Sequence, residues 1–179
     1  AGGEPFAPSG QRRQRAPLVV VFCLMPTFLG ASLRQYEFML RGLEEIERDL
    51  AGKNIPFFLL AGDPGQVLPA FLRKQRAGLL VADFDPLKTK QQWKKTVARR
   101  IDIPFHEVDG HNIVPCRVAS QKAEYGAYTL RPKLQKLLPH YLTEFPTIKR
   151  HPHRLTGRTA QTDWSEVRRA LRLDTSVGE

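Results

Sequence analysis

Between Pro17 and Gly110 short apolar runs alternate with longer amphipathic stretches, and no other feature of this sequence constrains the fold so strongly. "PLVVVFCL", "IPFFLLAG", "AGLLVADF" and "IPFHEVDG" read as strands. The first is a short apolar run with three consecutive β-branched valines, the kind buried on both faces of a parallel sheet. The stretches between them read as helices. Ser32 and Gln35 form a capping-box pair that satisfies orphan amide donors. Leu33, Tyr36, Met39, Leu43, Ile46 and Leu50 then recur every three or four residues, which turns one stripe to a core until Gly52 stops the helix. Asp63 and Pro64 supply an N-cap and a first-turn proline for "GQVLPAFLRKQ", where Pro69 requires a position near the first turn or a kink. "KTKQQWKKTVARRI" reads as a basic amphipathic helix carrying Trp93, Val97 and Ile101. Strands and helices joined this closely define an α/β fold with a mostly parallel sheet.

The rhythm changes after the fourth strand. "SQKAEYGAYTL" and "RPKLQKLLPHYLTEF" look helical, interrupted around Pro132 and ended before Pro146. Residues 147–179 are rich in Pro, His and Thr at first and read as an extended linker, with one or two helical turns at "SEVRRALRL". Residues 1–16 hold Gly, Pro and Arg and read as a disordered basic arm. The domain proper is expected over residues 17–146.

Composition narrows the partners. Net charge is +10, from 28 Lys+Arg against 18 Asp+Glu, which favours polyanions. Gln11–Arg15, Lys88–Arg100 and Lys149–Arg172 hold much of the excess. No apolar run approaches the roughly 18 residues of a membrane span, so no membrane partner is expected. Two cysteines, Cys23 and Cys116, make no disulfide framework and fit a reducing, intracellular compartment.

Many familiar chemistries have no motif here. Neither GxGxxG nor GxxxxGK[ST] occurs, nor a GxSxG elbow or an HExxH helix. His151 and His153 flank a proline without further ligands at usable spacing, so no metal site is expected. What remains is the set of polar groups at the carboxyl ends of the strands, the edge where open α/β sheets bind ligands. It comprises Thr27 and Phe28, Gly62 and Asp63, then Asp83, Asp85 and Lys88, then Asp109, His111 and Asn112. The two acids of "DFD" could polarise a ligand or coordinate Mg²⁺, or cap the following helix.

Several longer words occur in a specific order: "PTFLGASLRQYEFMLRGL", "IPFFLLAGDPGQVLP", "LVADFDPL", "VDGHNIVP", "VAS" followed by "EY", "TLRPK" and "LLPHYLTEFP". Together they resemble the N-terminal α/β domain of class II cyclobutane pyrimidine dimer photolyases, over roughly Pro17 to Pro146, with weaker similarity through "DW" and "LDTSV". The resemblance implies a Rossmann-like three-layer sandwich. It also implies a full enzyme in which a following helical domain holds FAD, binds damaged DNA and donates an electron to the dimer. An antenna chromophore of deazaflavin type is the cofactor this domain could hold, with Phe28, Asp83, Asp85 and Lys88 as candidate contacts. FAD is not expected on this chain, and no catalytic residue is assigned to it. His111 and Asn112 are expected to bond the backbone in a turn.

Two departures from the family pattern carry expectations of their own. Family domains open with a strand and helix of the type W-x-x-R-D-x-R-x-x-D-N-W-A-L, and the residues before Pro17 contain none. That strand is central in the family sheet, so the segments at Val19 and Leu79 are each expected to lack a neighbour. Arg117 stands where the family places Trp, which should change local packing or face solvent. Three functions follow: part of a light-driven DNA repair enzyme, not catalytic by itself; a photolyase-derived binding module in a larger assembly such as a ribonucleoprotein, docked through basic tails; or an independent Rossmann-type nucleotide-binding protein, against which the missing phosphate loop counts.

Overall fold

The computed structural model describes residues 15–157 and 161–171. Most of the basic arm expected over residues 1–16, and the "LDTSV" word, lie outside the described residues. Among the described residues, four strands and six helices follow the order β1 (Val20–Leu24), α1 (Leu33–Gly52), β2 (Phe57–Ala61), α2 (Pro64–Lys74), β3 (Leu80–Asp83), α3 (Lys88–Ala98), β4 (Phe105–Val108), α4 (Cys116–Ala119), α5 (Ala127–Tyr141) and α6 (Trp164–Ala170). The α/β alternation read from the sequence is the one observed. None of the described helices is long and apolar enough to cross a membrane.

The strands form two pairs, β1 with β2 and β3 with β4. In the second, Leu80 to Asp83 lie in parallel register with Phe105 to Val108. The first is parallel as well: Val20 N–H donates to Pro56 O and Gly62 N–H to Leu24 O, both at 2.9 Å, so the partners advance together. Among the described residues β1 and β3 each have a single strand neighbour. The expectation of burial on both faces is not met. In β1 only Leu24 is buried, and Val81 of β3 is 54% exposed. A strand with one neighbour and cover on one face keeps half its side chains near water.

The chain divides into two compact units. The first joins Pro26–Leu59 to the residues from Ile148 on and includes the start of β1. Its core is built on α1. The Ser32 N–H donates to Gln35 Oε1 at 2.7 Å, completing the capping box. Lys53 caps the far end, where Asn54 turns the chain at φ +63°. The stripe of α1 that goes inside is Tyr36, Leu40, Leu43 and Glu47. Met39 and Ile46, read from the sequence as core, sit beside it, and Ile46 is exposed. A helical period of 3.6 admits either of two adjacent faces, and a carboxylate partner decides between them.

That partner is the stretch read as a linker. His151 N–H donates to Lys53 O at 2.7 Å, and Asn54 Nδ2 donates to His151 O at 2.9 Å. Glu47, the one buried charged residue described, accepts Thr162 N–H at 3.0 Å, Thr162 Oγ1 at 2.8 Å and Trp164 Nε1 at 2.7 Å. Trp164 also packs near Phe57, with ring centroids 6.2 Å apart. Asp163 caps α6 by accepting Glu166 N–H, and Arg168 reaches Glu37 and Glu44 of α1, each at 3.2 Å.

The second unit comprises Cys23–Met25 and Leu60–Thr147. Here α2 packs on α3, and two sequence features explain how. Pro69 lies inside α2 and has no N–H to give the carbonyl four residues earlier. That carbonyl belongs to Gly65, and Arg100 Nη1 donates to it at 2.9 Å. Gly65 also lets α3 come close, because a Cβ there would lie 2.7 Å from Thr96 Cγ2. At the other end α5 runs unbroken through Pro132 and Pro139, so the expected interruption at Pro132 does not occur. The "SQKAEYG" stretch is not helical; the helix begins only at Ala127.

Candidate functional site

In the second unit, β3 and β4 run side by side and end together at Asp83 and Val108. Phe84 N–H continues the ladder to Val108 O at 2.7 Å. The two loops that leave this edge carry most of the polar residues picked out in the sequence.

The loop after β4 is organised by one carboxylate. Asp109 Oδ1 accepts the N–H groups of His111 and Asn112 at 3.2 Å and Asn112 Nδ2 at 3.0 Å. Its Oδ2 accepts Cys116 N–H, at the start of α4, at 2.8 Å. The Cys116 N–H bond first, and then the Asn112 bonds, hold the Asp109 carboxyl down at about 2 against the opposing effect of burial. His111 contributes its backbone and Asn112 both backbone and side chain, so the acceptor is Asp109 rather than main-chain carbonyls. The crowding of Asp, His, Asn and Cys thus turns the chain.

Neither thiol is poised as a nucleophile. Burial, followed by the neighbouring Asp109 carboxylate, raises the Cys116 pKa. Burial, with Asp63 adding to it, pushes Cys23 up to about 11. No group of three His, Cys, Asp or Glu side chains among the described residues is arranged to hold a metal ion. His151 and His153 face each other locally: His151 Nδ1 lies 2.9 Å from His153 O.

The "DFD" acids behave differently from one another. Asp85 Oδ1 accepts Leu87 N–H at 2.9 Å, and Oδ2 accepts Lys90 Nζ at 2.6 Å. Burial raises its pKa, but the bonds from Lys90 and Leu87 and the charges of Lys90 and His111 outweigh that and leave it lowered. Asp85 is therefore a turn-forming acid just ahead of α3. The Asp83 carboxylate has no hydrogen bond among the described residues, and Lys88, the first residue of α3, keeps an exposed ammonium group.

Phe84, between the two acids, stands next to a group that sequence reasoning passed over. Lys94 bonds Glu107, and Arg117 reaches the same carboxylate at 3.2 Å. Lys94 Nζ lies 5.6 Å and Arg117 Cζ 6.0 Å from the Phe84 ring centroid. Most of the Arg117 side chain meets water, as one of the two expectations has it, and its guanidinium lies beside Phe84 and Glu107. A strand–helix–strand crossover brings Lys94 onto Glu107, a proximity that no local spacing signals.

Phe28 belongs to the first unit, and Asp83, Asp85 and Lys88 to the second. Phe28 is half-buried in the loop after β1 and accepts Ala31 N–H at 2.9 Å, just ahead of Leu29 and Gly30 at positive φ. Further along, the short words of the resemblance converge on one another. Ser120 Oγ donates to Glu124, and Lys133 Nζ binds both. Lys133 first, then Ser120 and Thr129, hold the Glu124 carboxyl down at about 2.

Comparison with known proteins gives a consistent picture. A family model described as DNA photolyase matches residues 7–151. A protein of Potorous tridactylus named deoxyribodipyrimidine photo-lyase is 49% identical over 169 residues, 93% of this chain and 32% of that protein. The Arabidopsis thaliana protein of the same name is 43% identical over 87% of this chain and 32% of its own length. One from Methanothermobacter thermautotrophicus is 31% identical over 72% of this chain and 28% of its own. The chain thus spans about a third of the length of these relatives.

Proposed function

Because the chain belongs to the DNA photolyase family, we propose that it is the α/β part of a class II enzyme that repairs cyclobutane pyrimidine dimers in DNA with light. The observation that carries this reading is the 49% identity to a deoxyribodipyrimidine photo-lyase across 93% of the chain. On this reading the chain is a scaffold. The flavin that donates the electron, and the surface that grips the lesion, belong to another part of the enzyme. The side chains at the strand ends support this, since Asp109, Asp85 and Glu107 are committed to backbone N–H groups and to cations of the same chain. So does the surface around α5, a helix with no buried residue, where Tyr125 is 95% and Phe145 94% exposed. Large exposed aromatics of this kind ask for cover by further polypeptide.

The residues fit an antenna chromophore only in part. Asp83 and Lys88 have charged groups that no described residue bonds, open to a polar ring edge or an anionic tail, whereas Asp85 is occupied on both oxygens. Gel filtration of the chain after incubation with a deazaflavin tests this: a visible band travelling with the protein is expected, and a colourless peak would reject the antenna role.

Repair itself is tested by illuminating dimer-containing DNA with this chain alone and with a longer form carrying the flavin domain. Dimer loss is expected only with the longer form. Repair by the chain alone would overturn the scaffold reading, and repair by neither would overturn the photolyase reading.

A further inference from the structure

From the distribution of charge on α3, we infer that its outer stripe is a docking surface for the phosphate backbone of duplex DNA, independent of any lesion. Helix α3 contains Lys88, Lys90, Lys94 and Lys95 and no acid, and its basic run continues into Arg99 and Arg100. These cations fall into two groups by position around the helix. Lys90 and Lys94 lie on one flank, and each is bonded to an acid of the same unit, Asp85 and Glu107. Arg100 is turned toward α2, where it serves the Gly65 carbonyl. Lys88, Lys95 and Arg99 are spaced seven and four residues apart, so they share one stripe with Gln92 between them.

All four residues of the stripe are exposed, and none of the three cations has an ion pair or hydrogen-bonding partner among the described residues. An ordinary solvated helix face would offer acids three or four residues away. Here α3 itself holds none: Asp85, three residues before Lys88, is occupied by Lys90 and Leu87, and Asp102, three residues after Arg99, lies beyond the end of the helix. Helix α2, packed beside α3, adds Arg73 and Lys74 and likewise contains no acid. From Lys88 to Arg99 the stripe runs about 16 Å at 1.5 Å per residue. Along that length one strand of duplex DNA presents about five phosphates, at one per 3.4 Å. Gln92 provides an uncharged donor between the cations, as phosphate contacts commonly use.

An anionic membrane is the less suitable partner. Surface-binding helices insert an apolar face beside their basic one. The apolar residues of α3 are turned the other way: Val97 is buried, and Trp93 is half-buried on the same side. The stripe requires only phosphate charge, so it does not rest on the photorepair reading; an undamaged duplex suffices as the probe, and its outcome leaves the repair test untouched.

The test measures binding of the full chain to an undamaged 20-base-pair duplex by fluorescence anisotropy, from 50 to 200 mM KCl. For the K88Q/K95Q/R99Q variant the slope of log affinity against log salt is expected to become shallower by about 3, from roughly 0.9 per lost phosphate contact. A charge-matched variant on α1, R34Q/R41Q/R48Q, is expected to leave the slope nearly unchanged. Equal slopes for the wild-type chain and the α3 variant would overturn the proposal. So would an equal loss in the α1 variant, which would mean that net charge alone governs binding. Sedimentation with phosphatidylserine–phosphatidylcholine vesicles completes it: vesicle binding that depends on the α3 stripe, with duplex binding unaffected, would assign the surface to membranes instead.

Discussion

The indole N–H of Trp164 donates to Glu47 Oε2 at 2.7 Å, joining residues 117 positions apart. Glu47 is 7% exposed and receives two more bonds from Thr162. Three donors compensate one buried carboxylate, an arrangement that is costly to break from either side. It fastens Thr162 and Trp164 onto α1 within the first unit.

Glu47→Ala is expected to destabilise the chain by about 3 kcal/mol, because it leaves the Thr162 and Trp164 donors without an acceptor. Glu47→Gln should lose less, since an amide oxygen can still receive Thr162 while its NH₂ opposes the indole. Urea denaturation gives the stability change. Trp164 fluorescence should shift to the red as the indole meets water. Equal stability of all three proteins would show that the clamp contributes nothing.

The seam between α2 and α3 predicts a rescue. Gly65→Ala should cost about 1–3 kcal/mol through collision with Thr96, although alanine is the better helix former. Adding Thr96→Ser removes the offending methyl group and should recover much of that loss. The Gly65 carbonyl offers a second cycle: Arg100→Met should cost about 1 kcal/mol beside Pro69 and less beside Pro69→Ala, where a new backbone N–H can serve the same oxygen. Additive effects would show that Arg100 does not replace the missing donor.

Two carboxyls make stability depend on pH. Asp109 and Glu124 are both held at about 2 in the folded chain, below their ordinary values of 3.8 and 4.5. A depressed folded-state pKa contributes stability that is present above the unfolded value and lost as pH falls through the folded one. The urea midpoint should therefore fall between pH 4.5 and pH 2, and less steeply in Asp109→Asn and Glu124→Gln. Asp109→Asn also removes the charge that raises the Cys116 thiol, so alkylation of Cys116 by iodoacetamide at pH 8 should quicken. Unchanged alkylation would deny the coupling between the two.

What the sequence determined by itself was local. The capping box at Ser32, Pro64 opening α2 and the alternation of strand and helix each rest on residues a few positions apart, whose spacing is read directly from the chain. The words of the resemblance likewise named the family. Tertiary structure decided the rest. It selected the Leu40–Glu47 face of α1 over the neighbouring Met39–Ile46 face, because Trp164 and Thr162 arrive from far along the chain. It gave the orphaned Gly65 carbonyl to Arg100. At the strand ends it tied Asp85 to Lys90 and Glu107 to Lys94 while leaving the stripe of Lys88, Lys95 and Arg99 without a partner among the described residues. The composition of α3 alone could not separate these cations. Which charges find partners depends on what the crossover brings within a few ångströms, and hydrophobic periodicity carries no record of that.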